Sequence, residues 1–178
     1  MIEDVYSIRH FIEQGHELFV AISNAKNLGL YGERVGVLAA VVQGKALQCV
    51  VSQLKQLARA SYSNPPLHGV RIATEIMQSQ ALTTEWHKEL GEMRSRIMAM
   101  RHELVRGLIV QGVSKDLSFL EKQLGIFSFA GFNQEQVKRL REQYGIYMPS
   151  NGRINIAGLN THNIADVVSA MAEVWKQQ

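Results

Sequence analysis

Apolar positions along this chain fall into two signatures: unbroken apolar runs, and spacings of three and four. Val5, Ile8, Phe11 and Ile12 carry helical spacing over residues 5–14, with Gly15 as the stop. Leu18-Phe19-Val20-Ala21-Ile22 is a continuous run, as expected of a strand covered on both faces in an α/β sheet, and Val35 to Val42 is a second. Gly44 to Ala60 predicts a helix, which Ser61-Tyr62-Ser63-Asn64-Pro65-Pro66 breaks, because paired prolines cannot continue one and hold Asn64 extended. A helix over 68–80 follows, then a long one from Thr84 to Gln111. In it Trp86, Leu90, Met93, Ile97, Met100, Leu104 and Leu108 form one apolar face, with Glu92 and Arg96 paired beside it and Gly112 as the stop.

The last third alternates again. Phe127-Ser128-Phe129 predicts a short strand, Asn133 the cap of a helix that ends at Tyr144–Gly145, and Thr161 the cap of a final helix through Trp175. Ile146–Met148 and Arg153–Ala157 are predicted as further strands. Strands interleaved with helical segments indicate an α/β chain, with a domain boundary at the Pro65-Pro66 break.

Composition narrows the class. A hydrophobic fraction of 46% with 20% charged residues is that of a globular protein with a core, not of a disordered chain. A net charge of +3, spread along helices, does not suggest nucleic acid as a partner. The chain has no run of 18 apolar residues and no basic start followed by an apolar stretch, so neither a membrane span nor a signal peptide is expected. The single Cys49, within Leu47-Gln48-Cys49-Val50-Val51, is expected as a small buried hydrophobe, and a chain without disulfides suits a reducing, cytoplasmic setting.

The chemistry concentrates in Ser23-Asn24-Ala25-Lys26-Asn27-Leu28-Gly29-Leu30-Tyr31-Gly32-Glu33-Arg34-Val35-Gly36. Lys26 follows an apolar strand directly; an amine held against apolar surface has its ammonium disfavoured and becomes a nucleophile towards carbonyls. Ser23 and Arg34 supply hydroxyl and guanidinium donors suited to a phosphate. On these residues alone two other readings stay open. Lys26 could be a strand-end lysine reaching into solvent, with Arg34 paired to Glu33. Ser23-Asn24-Ala25-Lys26 could also be the S-x-x-K of a serine hydrolase, although the K-T-G partner motif is missing and glycines follow where a helix should open.

The same run resembles the lysine-attachment signature of class I aminotransferases, S-x-[SA]-K-N-x-G-L-Y-x-E-R-x-G. Three more segments resemble that family in the same order. They are Arg59-Ala60-Ser61-Tyr62-Ser63-Asn64-Pro65-Pro66-Leu67-His68-Gly69, Gly125-Ile126-Phe127-Ser128-Phe129, and Ser150-Asn151-Gly152-Arg153-Ile154-Asn155-Ile156-Ala157-Gly158-Leu159. The resemblance implies a partial fold-type I transferase: a remnant of the large-domain sheet over residues 1–60, whose two strands, without the rest of that sheet, would expose apolar faces, and the small C-terminal α/β domain with its long connecting helix over 61–178. It implies pyridoxal 5'-phosphate as cofactor, attached to Lys26, with Ser23 and Arg34 on its phosphate and Ser63 near the phosphate of a neighbouring subunit in a homodimer.

Arg153 would take the substrate α-carboxylate, Arg59 the second carboxylate of a dicarboxylic substrate across the dimer, and Phe127 would line the pocket. The implied reaction transfers an amino group between an L-amino acid and 2-oxoglutarate, with aspartate favoured over aromatic amino acids. The family's D-x-A-Y-Q-G-like segment, whose aspartate pairs with the pyridine nitrogen, has no counterpart here. The expectation is therefore a C-terminal part with little activity by itself: a piece of an enzyme, one half of a split enzyme, or a non-catalytic remnant of a disrupted gene.

Overall fold

The computed structural model describes residues 5–176, so positions 1–4 and 177–178 of the two expected domains lie outside the described residues. The chain divides into two compact units, Met1–Trp86 and His87–Gln178. In the first, α1 (Tyr6–Glu13) ends at Gly15 as its apolar spacing predicts, and leads into β1 (Leu18–Ser23) and β2 (Gly36–Val41). These strands pair antiparallel, from Leu18 opposite Val41 to Ser23 opposite Gly36. They form a two-stranded ribbon that is largely exposed, with Phe19 at 60% and Leu38 at 53%. The apolar runs are thus strands, and within the described residues their faces are exposed, as expected of two strands without the rest of a larger sheet.

The helix α2 (Ala46–Tyr62) runs two residues further than expected, into Ser61 and Tyr62, before Pro65-Pro66 breaks the chain. Cys49 lies on it and is exposed, contrary to the expected burial. An apolar run on a helix places successive side chains 100° apart, so part of it must leave any buried face. The next helix, α3 (His68–Gln78), begins with a buried glycine. A Cβ on Gly69 would collide with Val35 Cγ2 and stand 2.8 Å from Glu33 Cβ, so only glycine lets this turn close on the loop before β2.

Ser79 alone separates α3 from α4 (Gln80–Val110), a helix of 31 residues that starts earlier than its apolar stripe suggested. The division between the units falls within it. Its face is half-buried at Trp86, Leu90, Ile97 and Met100, exposed at Met93, and fully buried at Leu104 and Leu108. The expected Glu92–Arg96 pair does not form. Glu92 instead meets Lys88 at 4.0 Å, while Arg96 donates to the carbonyls of Leu159 and Ala157, both at 2.9 Å. A guanidinium near loop carbonyls makes two directed bonds there, which a solvated pair does not match.

The second unit holds the core. Leu104, Val105 and Leu108 of α4 pack with Leu120 of α5 (Ser118–Lys122), Leu140 of α6 (Gln134–Tyr144), and Met171 and Val174 of α7 (Ile164–Lys176). Phe132 stacks on Trp175 at 4.4 Å between ring centres. Asn133 caps α6 as expected, in a capping box with Gln136, and Gly145 ends it in the left-handed conformation. Two expectations fail nearby. Residues 146–148 form no strand, and Thr161 does not cap α7: Asn160 accepts from the His162 and Asn163 amides, and Asn163 Oδ1 accepts from Asn160 in return. Ile146 and Met148 are apolar because they pack against the core from a loop, a position that period-two patterning cannot distinguish from a strand. The strands β3 (Phe127–Phe129) and β4 (Arg153–Asn155) pair antiparallel, and β4 gives way at Ile156 to a single 3₁₀ turn rather than continuing to Ala157.

Candidate active site

The end of β1 and the loop that follows it carry three of the candidate residues. The ends of this loop are held by the Asn24 amide on the Val35 carbonyl, 3.0 Å, which extends the ladder by one bond. Ser23 Oγ accepts from the Ala25 amide, and Leu28 and Gly29 bond back to Asn24 and Lys26, so residues 24–29 coil into a turn. Asn24 and Ala25 are buried at its base. Trp86 Nε1 donates to the Asn27 carbonyl at 2.7 Å and ties the turn to the start of α4.

Ser23 and Arg34 line one cavity of about 280 Å³, together with Ile22, Ala25, Val35 and Gly36. Arg34 donates to the Tyr31 carbonyl at 3.2 Å and holds φ at +56°. Among the described residues, Arg34 and Ser63 are the two non-glycine positions with positive φ. Such a conformation costs about 1–3 kcal/mol and persists where the surroundings impose it, which is typical of ligand clamps. Lys26 is exposed rather than set against apolar surface, and its Nζ lies 3.6 Å from the centre of the Tyr31 ring. The desolvation argued from its place after an apolar strand is therefore not what the structure shows; the aromatic face is its neighbour.

Arg59 and Ser63 sit together at the end of α2, where the Ser63 amide bonds the Arg59 carbonyl at 3.1 Å and both side chains are exposed. In the second unit, Phe127 and Arg153 come together across the β3–β4 ladder. Phe127 faces Asn155 and Phe129 faces Arg153, so Arg153 is diagonal to Phe127, with its guanidinium carbon 4.6 Å from the ring centre.

Sequence patterning missed two residues around this pair. Arg101 of α4 is 5% exposed and donates to the Gly125 carbonyl at 2.7 Å and to Ser128 Oγ at 3.3 Å; burial holds its pKa below the ordinary arginine value. Gln123 accepts from the Phe129 amide and donates to the Phe129 carbonyl, standing where a neighbouring strand would. The signal for Arg101 was present: four residues after Ile97 and three before Leu104, it interrupts the apolar stripe.

The family model "Aminotransferase class I and II" matches residues 1–171. The chain belongs to this aminotransferase family. A mitochondrial aspartate aminotransferase of Dictyostelium discoideum is 44% identical over 176 residues, 98% of this chain and 41% of that protein. Among solved structures, the aromatic-amino-acid aminotransferase of Burkholderia pseudomallei, covalently bound to pyridoxal phosphate, superposes with a TM-score of 0.92 at 45% identity. The aromatic amino acid aminotransferase of Psychrobacter sp. B6, cocrystallised with aspartic acid, superposes at 0.93 with 43% identity. These two structures match 97% and 98% of this aminotransferase chain, and 44% of their own lengths. The chain thus spans about two fifths of the length of its relatives, with the α/β architecture of the corresponding part of fold-type I enzymes.

The residues present fit the phosphate end of the cofactor that this aminotransferase family implies. Ser23 and Arg34 line one cavity, and of the five donors on Arg34 the described hydrogen bonds engage one nitrogen, on Tyr31. The amine of Lys26 belongs to the same loop but is not among the residues that line this cavity.

Proposed function

We propose that this chain is the part of an aminotransferase that anchors pyridoxal 5'-phosphate and the substrate carboxylates. The enzyme would exchange an amino group between an L-amino acid and a 2-oxo acid such as 2-oxoglutarate. The observation that carries this reading is the placement of Ser23 and Arg34 on one cavity, in the loop that bears Lys26. When bound, the cofactor supplies an electron sink for negative charge at the substrate Cα. The chain's own residues do the rest. Ser23 and Arg34 donate hydrogen bonds to the phosphate, and Lys26 holds the cofactor covalently and then moves a proton at the substrate Cα.

Arg153 presents its planar fork to the α-carboxylate, and Phe127, stacked beside it, limits how that fork can turn. Arg59 serves a second carboxylate and Ser63 a neighbouring subunit's phosphate, both in a homodimer. In this assignment residues 1–60 belong to the large cofactor domain and 61–178 to the small domain, and the enzyme works in the cytoplasm. The relatives include aspartate and aromatic enzymes, and an aromatic one was crystallised with aspartic acid; with Arg59 present, aspartate is the favoured substrate.

The test is covalent capture. The chain is incubated with pyridoxal 5'-phosphate, reduced with borohydride and mapped by peptide mass spectrometry. The label is expected on the peptide containing Lys26, to be absent from Lys26→Ala, and to need several-fold more cofactor in Arg34→Ala. Labelling spread over surface lysines with Lys26 unmodified would refute the proposal.

A further inference from the structure

We propose that Arg101 is a positioning residue that sets Phe127, and through it Arg153, in the geometry that receives a carboxylate. This rests on the reading of Arg153 and Phe127 as the carboxylate site.

Backbone pairing of β3 is short. Three residues pair with three others, and one backbone bond continues the ladder at each end, from the Ile156 amide to the Ile126 carbonyl at 2.8 Å and from the Ala130 amide to the Gly152 carbonyl at 3.2 Å; a two-stranded ribbon of this length is marginal by itself. Two side chains hold it in addition. Gln123 brackets the backbone of Phe129 at one end, with bonds of 2.9 and 3.1 Å. Arg101 holds the other end, through one nitrogen shared between the Gly125 carbonyl, two residues before Phe127, and Ser128 Oγ, one residue after it. Alternation along a strand puts Ser128 and Phe127 on opposite faces, and Ser128 is indeed buried while Phe127 is not. Fixing Ser128 from the core side therefore fixes the height and tilt of the Phe127 ring on the other. That ring is the surface on which the Arg153 guanidinium lies.

Stability is not what this arginine supplies. Among the described residues no carboxylate pairs with it, and its Nε is buried without a partner. A buried cation of this kind costs free energy that an apolar side chain of similar length would not. Arg101 sits on α4, the longest helix of the chain, whose neighbouring turn, at Leu104 and Leu108, is fully buried. The guanidinium thus transmits the position of a rigid element to a short two-stranded ribbon.

The proposal is tested by NMR on the labelled chain, without cofactor. A guanidinium stacked on a ring shifts its side-chain protons upfield, so the Arg153 δ-proton displacement reports its packing on Phe127. Arg101→Met is expected to lose more than half of that displacement while the melting temperature stays within a few degrees or rises. Ser128→Ala, which removes the longer of the two bonds, is expected to lose a smaller part. Leu104→Ala is expected to lower stability and leave the displacement in place. Should Arg101→Met fail to fold, Arg101→Gln carries the same expectation. A displacement that survives either substitution overturns the proposal, as does an equal loss in Leu104→Ala, which would make the effect a general loosening. Titration with acetate separates the two readings. If Arg153 does not respond to acetate in the parent chain, its substrate role fails while the dependence on Arg101 stands.

Discussion

The two units spend similar apolar patterning to opposite effect. The second unit buries Leu104, Leu108, Leu120, Leu140, Ile156 and Val174 completely, in one continuous cluster. In the first unit, the buried hydrophobic residues among those described are Ala25 and Ala73, while Phe19, Val37, Leu38, Leu57 and Met77 face outward. The first unit keeps its shape through backbone pairing, a tight glycine contact and the Trp86–Asn27 bond; the second keeps it through a core. An apolar run states that a segment gains free energy by burial, roughly 25 cal/mol per Å² removed from water, but it does not name the surface that provides it. The candidate chemistry follows the same division. Ser23 at the end of β1 and Lys26 and Arg34 on the loop after it belong to the weakly buried unit, and Arg153 and Phe127 to the well-packed one.

The contrast can be broken at its strongest point by truncation. Leu104→Ala, at a position with 0% exposure, is expected to cost about 2–5 kcal/mol in chemical denaturation, because the removed methyl groups leave a cavity in a close-packed cluster. Leu38→Ala, on the exposed ribbon, is expected to change stability by no more than about 0.5 kcal/mol. Similar losses at both positions would mean that the ribbon is buried in solution and that the two units do not differ as described.

Gly69→Ala sharpens the comparison within the first unit. Helix propensity alone favours alanine by about 1 kcal/mol. The added Cβ, however, meets Val35 and Glu33 close to their backbones, where neither can swing away, so a net loss of about 1–3 kcal/mol is expected. Because Glu33 and Val35 flank Arg34, the same variant should also capture less pyridoxal phosphate at Lys26. A stabilised variant with unchanged capture would show that this contact is not tight.

The smallest effect is a pH dependence in the second unit. Asp116 accepts from the backbone amide and hydroxyl of Ser118 at the start of α5, and these bonds hold its carboxyl below the ordinary aspartate pKa. A carboxylate with a depressed folded-state pKa contributes stability that is complete above the unfolded value and disappears as the pH falls through the folded one. Asp116→Ala should therefore be slightly less stable than the parent near neutrality, with the difference vanishing in acid. A difference that stays constant down to the acid limit would assign the effect to packing instead of to the charge.

Most helices were legible because each carries its own punctuation: Gly15, Gly112 and Gly145 end three of them, and the Asn133–Gln136 box starts another. The family motifs were legible for a related reason. Each is confined to a run of consecutive residues, so it can be read without the fold. Most of what stayed hidden depended on neighbours distant in sequence. Cys49 is exposed although its run is apolar, Ile146 and Met148 pack from a loop, and Arg96 leaves Glu92 for carbonyls 61 and 63 residues away. Asn160 displaces Thr161 as the cap because Asn163 answers it from inside the same turn, a reciprocity that a single residue type does not announce.

The order of residues thus sets every α-helix of the described residues except α5, the strands β1 to β4, the Asn133 cap and the family to which this aminotransferase chain belongs. All of these rest on interactions between residues a few positions apart, or on motifs confined to single loops. That β1 and β2 pair antiparallel, that Lys26 lies on Tyr31, and that a buried Arg101 stands behind Phe127 emerge only in the folded chain. Those outcomes depend on which surfaces meet after collapse, where burial, hydrogen bonding and charge compete over distances that local patterning does not encode.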